Sequence, residues 1–304
     1  VRFAKPPASI DQQIDLLQRR GMQVPDRERA AHYLLHLNYY RLRGYWLPFE
    51  CGTDGDGDHR FQAGTTFEHV LDRYVFDREL RLLVMDAIER IEVSVRTQWA
   101  HHLALGHGSH AHLSRALFSD QRAYTASLGG LANEVGRSRE TFIQHLNDVY
   151  DEALPPVWAV VEVMSLGQLS KWYENLKCQA LRQRIADGYG MDETVFVSLL
   201  HHLTLIRNVC AHHSRLWNRR FTITPKLPRK KPTGLTTTFN TAAPRQLYNA
   251  LVLIAYLMNI VSPGHHWKQR LLELLEQHSG IPVESMGFPD GWRDLPYWAA
   301  EVRA

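Results

Sequence analysis

Apolar residues recur at helical spacing along most of the chain. Ile10, Ile14 and Leu17 mark a first helix over about Ser9 to Arg20, with Ser9 placed to cap it and Gly21 to end it. A second helix is predicted from about Asp26 to Leu37. The clearest pattern lies between about Phe67 and Leu105, where Leu80, Leu83, Val84, Ala87, Ile88, Ile91 and Val95 form one apolar stripe. One break in this helix is expected. The stretch from Gly106 to Gly136 contains Gly and Ser and reads as loops with short helices. Ser138 then reads as the start of a helix carrying Thr141, Phe142, Leu146 and Tyr150. Pro155 and Pro156 interrupt the pattern, and an apolar helix from Val157 to Met164 follows, with Glu162 as its one charge. Gln168–Leu176 is the next helix. After it, about Asp192 to His213 places Val195, Phe196, Leu199, Leu200, Leu203 and Ile206 on one stripe. Residues 219–244 are basic and rich in Pro and Thr, a loop or hairpin in which Phe221-Thr222-Ile223-Thr224 is the only short β-like run. Helices over Pro244–Val261 and Trp267–Gln277 close the pattern. No strands alternate with helices and no fixed period repeats, so the predicted class is mainly α, a helical bundle.

Composition narrows this reading. A chain of 304 residues with 44% hydrophobic and 22% charged residues can bury a core, which excludes global disorder. Cys51, Cys178 and Cys210 are too few and too scattered for a disulfide framework, so a reducing, cytoplasmic setting is expected. The opening residues do not read as a signal peptide, and the apolar run Leu247–Val261 is too short to span a bilayer, so no membrane role is expected. Asp54, Asp56 and Asp58 imitate the start of a calcium loop. His59 and Thr65 stand where that loop needs Gly and Glu, and a solvated turn is expected instead. The absence of Cys-x-x-Cys, His-Glu-x-x-His and Gly-rich phosphate loops points to no metal and no cofactor.

A net charge of +3 is too weak for a general nucleic-acid coat, so the distribution of charge matters more than its total. Basic residues concentrate between Arg215 and Lys231: Arg215, Arg219, Arg220, Lys226, Arg229, Lys230 and Lys231. This run can guide a phosphate backbone or be a solvated loop. Just before it stands Arg207-Asn208-Val209-Cys210-Ala211-His212-His213, at the end of an amphipathic helix. Asn208 and His212 share a face, whereas Arg207 lies about 140° round the helix from His212 at about 100° per residue. A second helix or a second protomer is needed to bring both groups to one point. Arg and His together suit RNA. Histidine can take the 2′-OH proton or deliver one to the leaving 5′-oxygen, and arginine can hold the phosphate and stabilise its developing charge. The same pair can also cap a helix end, and Arg96 to His101 repeats the spacing. Glu92 and Arg96 are four apart, set either to form an intrahelical ion pair or to support the site. Glu162 reads as a buried acid paired with an arginine such as Arg41 or Arg96, or as a perturbed acid near the site. Tyr39, Tyr40, Tyr45 and Trp46 read as core aromatics or as stacking surfaces for unpaired bases.

Arg207 to His213 followed by Arg215-Leu216-Trp217-Asn218-Arg219 resembles the signature of the Abi-like family of abortive-infection proteins, within the HEPN class. Further blocks resemble the same family in the same order: Asn38-Tyr39-Tyr40-Arg41-Leu42 with Gly44-Tyr45, Phe76 to Arg81, Ala87 to Glu92, Leu154 to Trp158 and Glu162 to Gly167. The resemblance implies a HEPN-like helical bundle with an N-terminal helical extension (1–50), a main domain (60–278) with a basic loop after the motif helix, and a tail (279–304). It implies antiphage defence through growth arrest and metal-independent RNA cleavage by a homodimer. A neutralising RNA or protein partner, as in toxin–antitoxin systems, is a further implication. Arg207 becomes the phosphate-binding arginine, Asn208 the polar motif residue and His212 the catalytic histidine, with His213 as its alternative. Some members of the class only bind RNA or act as partners of a toxin, and both alternatives stay open here.

Overall fold

The computed structural model describes residues 2, 6–53, 59–229 and 232–299, the side chains of Thr53 and Thr233 aside. They divide into two compact units, Val1–Leu80 with Leu274–Ile281, and Arg81–Glu273 with Pro282–Ala304. The architecture is a mainly α-helical bundle in which N-terminal helices precede a larger helical core.

In the first unit, α1 (Ile10–Arg19) starts at Ser9 in a capping box: Gln12 N donates to Ser9 Oγ, and Gln12 Oε1 accepts from Ser9 N. Gly21 ends it at φ +96°, a conformation that favours glycine. Asp26 caps α2 (Arg27–Leu37), and the aromatic segment after it forms α3 (Tyr39–Trp46). Tyr45 and Trp46 are buried, and the Tyr45 hydroxyl donates to the buried Asp77 carboxylate at 2.6 Å; Tyr40 faces solvent and Tyr39 is half-buried. An antiparallel hairpin, β1 (Glu50–Thr53) and β2 (His59–Phe61), follows where the sequence pattern gave only a loop. Strands of four and three residues are too short to show a period of two, and the hairpin is held in part by Phe61 N donating to Arg20 O after the end of α1. The Asp54–Asp58 turn lies outside the described residues.

Helix α4 (Phe67–His107) runs 41 residues without the expected break. In the second unit, α5 (Gln121–Arg137) corrects the expectation of loops: Asp120 caps it, and Tyr124, Leu131 and Val135 bury one stripe despite Gly129 and Gly130. Ser138 ends α5 rather than opening α6 (Thr141–Val149). The apolar helix expected at Val157–Met164 is only α7 (Val157–Val160) and a 3-10 turn. Ser165 caps α8 (Leu166–Glu174), and α9 (Gln179–Asp187) leads into α10 (Glu193–Ala211). The buried Glu193 carboxylate accepts from Arg182 Nε at 2.8 Å, which locks α9 to the start of α10. By length and composition alone α10 is apolar enough to cross a membrane; here nine of its residues, including Phe196, Leu199, Leu203 and Ile206, are buried in the unit.

After a short α11 (Thr233–Thr236), α12 (Tyr248–Val261) is buried at every residue from Tyr248 to Met258. A helix apolar all round belongs at the centre of a core. Its one buried amide, Asn249, is satisfied at both ends by the Asn240 backbone, at 2.9 and 2.8 Å. In α13 (Trp267–Gln277), the Trp267 indole N–H donates to Leu83 O of α4 at 2.7 Å.

Candidate functional site

The Arg207–His213 segment is the last turn of α10 and its cap. His212 is the C-cap, its N–H donating to Asn208 O at 3.0 Å. His213 N donates to Cys210 O at 3.0 Å and Ser214 N to Val209 O at 2.9 Å, the paired bonds that close a Schellman turn. The residue after the cap in such a turn is usually glycine, because it takes the left-handed conformation. Here it is His213 at φ +54°. The turn therefore holds an imidazole where the backbone would be relaxed without one, and strain of this kind is retained where a side chain has a task. His213→Gly is expected to raise stability by about 0.5–1 kcal/mol in urea unfolding, the relief of left-handed strain exceeding the entropy glycine adds to the unfolded chain. His213→Ala, which keeps the strain, is expected not to do so.

The geometry around this turn separates the motif residues. Arg207 is half-buried and lines a groove of about 490 Å³ against α4, with Leu82, Glu89, Glu92, Val93 and Arg96 among its walls. Asn208, His212 and His213 are exposed and lie outside that groove. Among the described residues, the side chains of Arg207, Asn208 and His212 make no hydrogen bond or ion pair, so their donors and acceptors are available to a ligand. Cys210 is buried beside Ile206, away from the exposed side of the turn.

Arg96 is held from two sides. Its Nη2 donates to Glu92 Oε1 at 2.6 Å and to the Met164 carbonyl at 2.6 Å, and Nη1 lies 3.7 Å from Glu162 Oε2. Glu92 is thus the intrahelical partner its spacing implies. Glu162 pairs with Arg96, but it corrects the expectation of a buried acid: its side chain is 46% exposed, because the turn after α7 carries it to the surface. Glu89, one turn before Glu92 and Val93, is an exposed groove residue that the sequence reading passed over. Its signal was helical spacing along α4 toward Arg96. Leu82 and Val93, 58% and 48% exposed, flank the same groove as unpartnered apolar side chains.

The basic residues do not trail into solvent together. Arg219 Nη1 donates to Arg215 O at 3.0 Å, which folds it back on the turn. Further on the chain is pinned along α10: the buried His202 Nδ1 contacts Ile223 O at 2.8 Å, and Lys226 N donates to Ser198 Oγ at 2.9 Å. Residues 223 to 226 therefore run back toward the start of α10, and carry the exposed side chains of Lys226 and Arg229 with them. Arg220 stays exposed nearer the motif. Lys230 and Lys231 lie outside the described residues.

Fold and site together define a helical protein with an arginine and histidines at the end of a core helix and a basic segment strapped along that helix. The family described as Abi-like protein matches residues 32–218, more than half of the sequence, and the chain belongs to this family. No curated protein and no solved structure matches it.

Proposed function

We propose that the chain is a metal-independent endoribonuclease of the HEPN type, acting in abortive-infection defence against phage. The observation that carries the reading is the pair of unengaged groups at the end of α10, the half-buried Arg207 guanidinium and the exposed His212 imidazole. Arg207 holds the scissile phosphate and offsets the charge that builds on it. His212 takes the 2′-OH proton as the 2′-oxygen attacks phosphorus, or gives a proton to the leaving 5′-oxygen; His213 is the adjacent alternative. The P–O5′ bond breaks, which leaves a 2′,3′-cyclic phosphate and a free 5′-hydroxyl. RNA supplies its own nucleophile, so no metal is required, and DNA resists for want of the 2′-OH.

Arg207 and His212 diverge on one helix, so a second copy of the chain completes the site in this reading. The exposed Leu82 and Val93 beside Arg207 support a homodimer contact there. Asn208 orients the substrate, and Arg96, held by Glu92 and Glu162, supports Arg207 in the groove. Arg215, Arg219, Arg220, Lys226 and Arg229, with Lys230 and Lys231, steer the RNA backbone. The domain division expected from the resemblance, 1–50, 60–278 and 279–304, goes with this reading, as do a cytoplasmic setting and a neutralising partner.

The test is to incubate the full chain with end-labelled single-stranded RNA in excess EDTA. Shortened products ending in a 2′,3′-cyclic phosphate are expected, with the matched DNA left intact. A stable complex without shortened product would instead favour a binding module that senses or sequesters RNA, a reading the separation of Arg207 from His212 within one chain also fits.

A further inference from the structure

The proposed cleavage leaves unused a cavity of about 1320 Å³ at the opposite end of α10 from the motif. The strap that starts at the motif turn builds one side of it. Because Lys226 N is fixed to Ser198 Oγ, the residues that follow, Leu227, Pro228 and Arg229, line the same cavity as Val195 at the start of α10. The half-buried Phe239 supplies an aromatic wall, and Asp187, at the end of α9, supplies a carboxylate. Asp187 accepts one hydrogen bond, from Gln183 Nε2 at 2.8 Å, and retains capacity for a second donor. Asp192 also lines the cavity, but its carboxylate already accepts from Thr194 N and Oγ1 as the cap of α10. The cavity thus combines a flat apolar surface, a carboxylate at Asp187 that is not committed to capping a helix, and two exposed cations.

We propose that this cavity receives an unpaired RNA base carrying an exocyclic amino group. The inference rests on RNA being the ligand of the proposed function and adds a subsite that gives it sequence preference. The base stacks on Phe239, its amino group donates to Asp187, and the flanking phosphates lie on Lys226 and Arg229. Adenine, cytosine and guanine each present an exocyclic amino donor; uracil has none, and its N3–H is flanked on both sides by carbonyl oxygens, which a carboxylate repels. Ser198 and His212 are separated by about 20 Å of helix, so only an RNA of several nucleotides can occupy motif and cavity together.

The test uses the full chain and labelled single-stranded dodecamers of 2′-O-methyl RNA, which cannot undergo 2′-OH attack, with binding read by fluorescence anisotropy. Oligo-A and oligo-C are expected to bind about tenfold more tightly than oligo-U, the scale of one base-specific contact. Phe239→Ala is expected to weaken oligo-A binding about tenfold, in line with the loss of one stacked base. Asp187→Asn, at an exposed position that does not threaten folding, is expected to erase the preference for oligo-A over oligo-U, weakening oligo-A through loss of the carboxylate acceptor and strengthening oligo-U through relief of the repulsion. Equal binding of the three oligomers by the parent, or parental binding by both variants, overturns the subsite; cleavage of natural RNA that depends on Arg207 would then still stand. Failure of the parent to bind any RNA overturns both readings.

Discussion

Arg207→Ala is expected to lower RNA cleavage by about 10²- to 10³-fold, the scale seen when one charge-stabilising donor is removed. His212→Ala is expected to cost about 10²- to 10⁴-fold through the lost proton transfer. The double variant should fall little below the worse single one, because groups that act on the same transition state are not additive. Growth arrest on expression should disappear in step with cleavage. The fold should survive all three changes: Arg207 and His212 have no side-chain partner among the described residues, and His212 lies exposed at a helix end, so unfolding free energies should shift by less than about 1 kcal/mol. Far-UV circular dichroism and urea midpoints separate loss of chemistry from loss of structure. A double variant that cuts RNA and arrests growth as the parent does would remove this pair from catalysis.

Acid should destabilise the protein steeply, through two histidines that the proposed chemistry does not use. His112 is fully buried, with neither ring nitrogen hydrogen-bonded among the described residues, and burial lowers its pKa from 6.5 to about 4, with His110 beside it adding to the effect. Burial also takes His202 to about 4, against a smaller upward pull from its bond to the Ile223 carbonyl. Both are neutral in the folded chain and protonate more readily once it unfolds. Their stabilisation is therefore complete above about pH 6.5 and is lost as pH falls toward about 4. The full loss is about 3 kcal/mol for each residue, a large share of the 5–15 kcal/mol a domain typically has. Urea unfolding across that window should show the fall, and His112→Leu should remove its share of the slope. Parallel curves for parent and variant would assign the acid sensitivity to other groups. His202 adds a local consequence, since the same ring pins Ile223 and so helps hold the strap along α10.

Local signals in the sequence were enough for α1, α2 and α13. Ser9, Gly21 and Asp26 sit where caps and stops act through the nearest backbone groups, and Trp267–Gln277 is amphipathic over its whole length. The stripe from Leu80 to Val95 identified α4, which runs from Phe67 to His107 without the expected break. Failures came where tertiary packing overrides propensity. Glycines and serines in α5 suggested loops, yet a buried face of Tyr124, Leu131 and Val135 stabilises the helix beyond what its exposed residues would indicate. The hairpin strands were too short to carry a period.

At the site, the sequence by itself determined which chemical groups stand together: an arginine, an asparagine and two histidines within about two helical turns, then a basic run. Helical geometry alone also required Arg207 and His212 to diverge. Only the tertiary structure decided that Arg207 shares a groove with Glu89 and an Arg96 held by the Met164 carbonyl, and that residues 223–226 are strapped back along α10. It also decided that His213 occupies the left-handed position of a Schellman turn. The groove and the strap are contacts between residues distant in the chain. No pattern in a linear window encodes them, because their free energy exists only once the packed elements have met.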